Sequence, residues 1–291
     1  MCVDSAGFVL LGTFLTPPQS PDCAWRSVRA ERAAAASAEQ FDSSLRQNIS
    51  FLTSDPLVAY NGTNSAWDRF NKYFQQVGGL LNNGPLLRDY FQQGLQEFYE
   101  DNVQYIELRG AMTGYTDISG KAHDIVYGVE MYKNASDEFV SKHPDFVGAK
   151  VIMSGLRFKS KAVIADEVQQ AISMRRKFPD FFLGYDLVAQ EDPQNPLLFY
   201  LDALLSPSRQ SLDDALPYFF HAGETKWEGT QVDDNLLDAL LLNTTRIGHG
   251  FALAKHPEVA DMVKSRGVAV EVNPISNQVG WLDGWLVGWV D

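Results

Sequence analysis

From residue 103 onward, short apolar runs alternate with stretches whose apolar residues recur at helical spacing. VQYIELRG (103–110), GAKVIMSGLR (148–157), DFFLGYDLVA (180–189), LPYFFHAGE (216–224), RIGHGFAL (246–253) and VAVEVNPIS (268–276) read as six strands. Between them, KAVIADEVQQAISMRRKF (161–178) places Ile164, Val168, Ala171 and Ile172 on one helical face. DDNLLDALLLN (233–243) and HPEVADMVKSRG (256–267) also read as helices, the second ending at Gly267 in the position past the C-cap. Repeated βα units predict an α/β fold, a parallel sheet covered by helices. No G-x-G-x-x-G turn follows the first strand, so a dinucleotide-binding sheet is unsupported. A (β/α)8 barrel delivers polar side chains at the C-terminal ends of its strands, but it needs eight units, and two are unaccounted for.

Before residue 100 the pattern differs, and its clearest segments have helical period. WDRFNKYFQQVGGLL (67–81) and PLLRDYFQQGLQEFYEDN (85–102) are amphipathic, with Leu87, Phe91, Leu95 and Phe98 on one face and Pro85 suited to a first turn. Residues 24–40, rich in Ala, Arg and Glu, predict one surface helix. Residues 1–22 read as a leader, either disordered or unrelated to the rest of the chain; their apolar stretch Gly7–Leu15 lacks the basic segment of a signal peptide. Residues 23–279 are expected to form one partial barrel domain. The tail 280–291, GWLDGWLVGWVD, fits neither strand nor helix periodicity and reads as an atypical, exposed end.

The formal charge of −13 argues against a nucleic-acid partner, whose phosphates it would repel. No apolar run approaches the roughly 18 residues of a membrane span. Cys2 and Cys23 could pair, but two cysteines make no disulfide framework. Four Asn-x-Ser/Thr sequons, at Asn48, Asn61, Asn134 and Asn243, favour a secreted glycoprotein.

Of five histidines, His123, His143 and His256 lie in polar stretches and read as surface or helix-start residues. His221 and His249 instead end apolar runs and are flanked by Gly or Ala, which leaves room near the backbone for a substrate or ion. Glu224 follows His221 by three positions, so an imidazole and a carboxylate share one strand end. That pairing suits metal-activated hydrolysis, with the carboxylate as acid or base. The H-x-E and P-C-x-x-C motifs of cytidine-type deaminases are absent. On the residues alone, an unrelated barrel hydrolase such as a two-carboxylate glycosidase remains an alternative.

FFHAGET (219–225), NTTRIGHGFAL (243–253) and EVNPISNQ (271–278) resemble, in order and spacing, the adenosine deaminase family. EFYEDNVQYIELR (97–109) and WDRFNKYF (67–74) are similar to its secreted branch, the adenosine deaminase-related growth factors or type 2 adenosine deaminases. The resemblance covers roughly residues 23 to 279. It implies a (β/α)8 barrel with one zinc per complete subunit, acting on adenosine or 2′-deoxyadenosine, and a homodimer. It places a zinc ligand at His221, the proton donor to the purine at Glu224 and the base that handles the attacking water at His249. It also places nucleoside-pocket contacts at Trp67, Phe70 and Phe74, and a substrate-contacting glycine where this chain has Ala189. Leu156 stands where the branch often has a histidine.

The family's first-strand His-x-His and eighth-strand aspartate have no counterpart here, so the six strands correspond to the second through the seventh of a truncated barrel. The expectation is therefore a zinc deaminase chain lacking part of its zinc site. The alternative is an adenosine deaminase-like binding or growth-factor protein without catalysis. The family cysteine matching Cys23 pairs upstream, and Cys2 is not expected to replace its partner.

Overall fold

A computed structural model describes residues 1–14, 16, 23–51, 53–60, 62–112, 114–210, 216–225 and 229–279. The chain opens with a hairpin of β1 (Cys2–Val3) and β2 (Val9–Leu10), followed by helices α1 (Val28–Ala34), α2 (Ala38–Asn48), α3 (Pro56–Ala59), α4 (Thr63–Leu81) and α5 (Gly84–Glu100). Strand β3 (Tyr105–Gly110) precedes a second hairpin, β4 (Tyr115–Thr116) and β5 (Ala122–His123), then helix α6 (Ile125–Lys142). The βα alternation comes next: β6 (Gly148–Leu156), α7 (Lys161–Lys177), β7 (Phe182–Val188), α8 (Leu201–Leu204), α9 (Ser206–Gln210), β8 (His221–Ala222), α10 (Asn235–Leu241), β9 (Arg246–His249), α11 (Pro257–Ser265), β10 (Ala269–Glu271) and α12 (Pro274–Val279). The described elements form two compact units, one from residues 1–94 with 113–131, the other from residues 95–112 with 132–279.

The first unit corrects three expectations. Residues 1–14 are an ordered part of the helical unit rather than a disordered leader. The Leu11 amide donates to the Gln76 carbonyl at 2.7 Å, and Gln76 Nε2 donates to the Val9 carbonyl at 2.9 Å. The approach is so close that a Cβ on Gly79 would lie 2.5 Å from the Leu11 carbonyl oxygen. Cys2 bonds to Cys23 after all, because the hairpin brings their Cα atoms to 5.6 Å. The single helix expected over 24–40 is split: Ser37 caps a new helix by accepting from the Gln40 amide at 3.3 Å, so the chain restarts instead of continuing. The tail 280–291 lies outside the described residues.

In the second unit, all six expected strands appear, all parallel. β6 pairs β3 on one side and β7 on the other, β9 lies between β8 and β10, and a bridge from Tyr185 to Tyr218 joins the two groups. The last three strands are shorter than expected, and β8 keeps two residues of the stretch 216–224. Gly250, at φ +57, ends β9 in a turn, and Pro274 begins α12, a position where its fixed φ is an advantage. Helix α7 buries the expected face, Ile164, Val168, Ala171 and Ile172, and Ser160 caps it. Gly184 on β7 admits the neighbouring chain: a Cβ there would lie 2.0 Å from the Pro217 carbonyl oxygen.

Among the described residues, β3 and β10 each have one strand neighbour. Side chains nevertheless link them. Arg109 on β3 pairs with Glu271 on β10 at 2.8 Å, and Arg246 on β9 pairs with both Glu271, at 2.7 Å, and Glu107 on β3.

Candidate active site

The C-terminal ends of β7, β8 and β9 bring His221, Glu224 and His249 together, as their positions at the ends of apolar runs predicted. His221 sits in β8, and its Nδ1–H donates to Asp186 Oδ2 at 2.7 Å while its backbone amide donates to Oδ1 of the same carboxylate at 3.0 Å. Arg109 Nε also donates to Asp186, at 2.7 Å. Asp186 is wholly buried; burial alone would raise its pKa, but His221 and Arg109 outweigh it and hold the carboxyl below the usual range. This carboxylate fixes the imidazole with Nε2 as the nitrogen left for another partner.

Glu224 is 7% exposed. Its Oε2 accepts the Glu191 amide at 3.0 Å, and its carbonyl accepts from Asn277 Nδ2 at 2.8 Å. Burial pushes its carboxyl up to about 7; the hydrogen bond from the Glu191 amide works against that shift and the Glu191 charge works with it. His249 Nε2 stands 3.6 Å from Glu224 Oε1, and the His249 ring centroid lies 5.2 Å from that of His221. Burial, with His221 next, lowers His249 to about 4, so the ring is neutral at pH 7. Its Nδ1 is buried with no hydrogen-bond partner among the described residues, and its φ of +69 is rare for a residue with a side chain. A carboxylic acid that keeps its proton thus faces an imidazole that lacks one, so a single site can both donate and accept protons near neutrality.

Several contributors escaped sequence reasoning. Arg157, fully buried, donates from Nη2 to the His221 carbonyl, and its Nε and Nη1 have no partner among the described residues. Asp186 and Arg157 could have been flagged as charges inside apolar strands. Glu191 could not, since QEDPQNP reads as an ordinary polar loop.

Of the other expected residues, Ala189 directly follows β7 with φ +89, a conformation glycine adopts freely and alanine resists. Trp67, Phe70 and Phe74 form an edge-to-face ladder along α4 with centroid spacings of 5.5 and 4.9 Å; Trp67 is buried and Phe74 exposed. They belong to the first unit, whereas His221, Glu224 and His249 belong to the second. Asn48 ends α2, Asn243 is exposed beyond α10, and Asn134 is exposed in mid-α6, where Ser136 of its sequon is buried and accepts from the Ala149 amide. Asn61 lies outside the described residues. His123, His143 and His256 hold structural bonds, to Asp117, the Phe139 carbonyl and Asp233.

Zinc does not fit the donors present. His221 has a suitable nitrogen, but no group of three or more His, Cys, Asp or Glu side chains able to hold a metal exists among the described residues. Catalytic zinc takes about three protein ligands.

The adenosine deaminase family model matches residues 39–280. The chain belongs to the adenosine deaminase family. Human adenosine deaminase 2 is 44% identical over 265 residues, covering 91% of this chain and 52% of the human protein. That relative agrees with the type 2 branch, and this adenosine deaminase chain spans about half the length of the curated relatives it matches. Adenine deaminase from Arthrobacter aurescens superposes with a TM-score of 0.58 at 18% identity, covering 87% of this chain and 68% of that one. An amidohydrolase from Burkholderia ambifaria with bound Zn gives a TM-score of 0.50 at 21% identity, covering 69% and 51%. At those identities the likeness shows the adenosine deaminase fold alone, an α/β barrel type built from the parallel strands described above.

Proposed function

We propose that this chain carries the proton-transfer half of an adenosine-deaminating centre, in which adenosine or 2′-deoxyadenosine and water give inosine or deoxyinosine and ammonia. The observation that carries the reading is the pairing of a carboxyl raised to about 7 with an imidazole lowered to about 4 at adjoining strand ends. Glu224, protonated, donates to a purine ring nitrogen and draws electron density from the carbon bearing the amino group. His249, neutral, accepts a proton from the attacking water and can return it to the departing amine. Ala189 backs the same strand end, and its methyl narrows the space a purine would take.

A zinc at this centre calls for ligands beyond those found among the described residues, with His221 as one of the set; the Zn-bound neighbour supports a metal in this fold. Four sequons, the Cys2–Cys23 bond and the type 2 relatives support an extracellular protein.

The test is inosine release from adenosine by a protein carrying the relatives' full length. Glu224→Gln is expected to lower turnover by about 100-fold or more, the usual worth of a general acid, with the zinc content unchanged. A variant that loses its zinc instead would place Glu224 among the metal ligands and defeat the assignment.

A further inference from the structure

Glu191 is 2% exposed, a carboxylate almost wholly withdrawn from solvent. Among the described residues, the bonds its carboxylate accepts converge on one turn and its support. Oε1 accepts the Gly223 amide at 3.1 Å and Asn235 Nδ2 at 2.8 Å, and Oε2 accepts the Glu224 amide at 2.6 Å. In return, the Glu191 amide donates to Glu224 Oε2 at 3.0 Å. The two glutamates therefore hold each other, each carboxylate on the other's backbone N–H.

The turn has reason to need holding. Gly223 sits at φ +65, and a Cβ there would press Leu236 at 3.0 Å. The hold is itself anchored, because Asn235, wholly buried at the start of α10, accepts the Leu197 amide at 2.8 Å with the oxygen not facing Glu191. Its amide orientation, and with it the donor offered to Glu191, is thereby fixed.

We propose that Glu191 is a positioning residue for the proton donor, fixing the 223–224 turn and aiming the Glu224 carboxyl through this reciprocal clamp. The proposal rests on the donor role given to Glu224 above. The groups that face Glu224 are Glu191 after β7, His221 on β8, Arg157 after β6, His249 on β9 and Asn277 on α12. Of these, Glu191 alone is negative: its side-chain charge favours the protonated carboxyl, whereas the hydrogen bond from its backbone amide, His221 and Arg157 favour the ionised one.

The experiment uses the 291-residue chain without zinc or substrate. Side-chain carboxyl carbons of glutamate are titrated by NMR, with Glu224 assigned from Glu224→Gln, and backbone amide exchange is followed at Gly223 and Glu224. In Glu191→Gln, which keeps the shape and removes the charge, the Glu224 midpoint is expected to fall by about one pH unit. In Glu191→Ala, exchange at both amides is expected to quicken about tenfold or more, the consequence of losing charge-assisted bonds. An unmoved midpoint in Glu191→Gln overturns the proposal, and that variant decides alone where Glu191→Ala does not fold. Unchanged exchange in a folded Glu191→Ala overturns it equally. An ordinary Glu224 midpoint in the unmodified chain defeats the donor reading instead, and the exchange rates then report on the clamp separately.

Discussion

Glu224 and His249 depart from their ordinary pKa values in opposite directions, and folding stability must follow. Between the ordinary glutamate range and about 7, the unfolded chain has released the Glu224 proton while the folded chain retains it. Stability contributed by the neutral form is thus complete at low pH and lost as pH rises to about 7, in total about 3 kcal/mol. Glu224→Gln is expected to unfold at a higher denaturant concentration than the wild type at pH 8 and at the same one near pH 4. Coincident unfolding curves at pH 8 would mean the carboxyl is not held neutral by burial. His249 acts on the other limb: its lowered pKa gives stability present above the ordinary histidine value and lost as pH falls towards about 4. Ala189 offers a simpler test. Its φ of +89 costs an alanine about 1 kcal/mol that glycine avoids, so Ala189→Gly is expected to raise stability by that amount, checked by urea unfolding. At this scale the three residues that ended apolar runs, His221, Glu224 and His249, were legible because strand ends are where a barrel exposes its chemistry. Glu191 was not: its burial comes from a loop folding back over the 223–224 turn, which no local pattern records.

Elements were legible where their periodicity was strong. The six strands and α7 appear at their expected places because buried parallel strands read as apolar runs and α7 has a continuous apolar face. Boundaries failed where one residue changes the backbone, at Gly250 and Pro274. The split at Ser37 was hidden because alanine and arginine favour a helix on both sides of the cap. Helix α6 (Ile125–Lys142) was not expected at all; its mixed face of Tyr, Lys, Asn and Ser dilutes the helical signal. Between elements, the tightest junction is the approach of Pro217 to β7. Gly184→Ala forces a methyl to within 2.0 Å of a carbonyl oxygen, so the run leading to His221 must shift. We expect a loss of about 2 kcal/mol or more, with the neighbouring Tyr185–Tyr218 bridge opening to amide exchange. Undiminished protection of the Tyr185 amide, which donates to the Pro217 carbonyl at 3.0 Å, would show that the junction yields elsewhere.

At the scale of the whole molecule, the described residues offer one expected zinc ligand, His221, where catalytic zinc takes about three. The purified 291-residue chain is expected to retain no zinc through dialysis and to release no inosine from adenosine, measured by metal analysis and by the change in purine absorbance; turnover comparable to that of its relatives would overturn this. The resemblance also misjudged the amino-terminal segment, since the Cys2–Cys23 bond depends on a hairpin seated on α4, a long-range contact that the two cysteines alone did not declare.

The side-chain links between β3 and β10 constrain how this sequence can change over time. Glu107, Arg246, Glu271, Arg109 and Asp186 form a row of alternating sign, each charge shared with the next. A lone substitution in such a row strands a neighbour without its counter-ion, at a cost far above that of a surface change. These positions are therefore expected to drift only in concert, and their history should be written as correlated replacements across the family, with a change at Arg109 accompanied by one at Glu271 or Asp186.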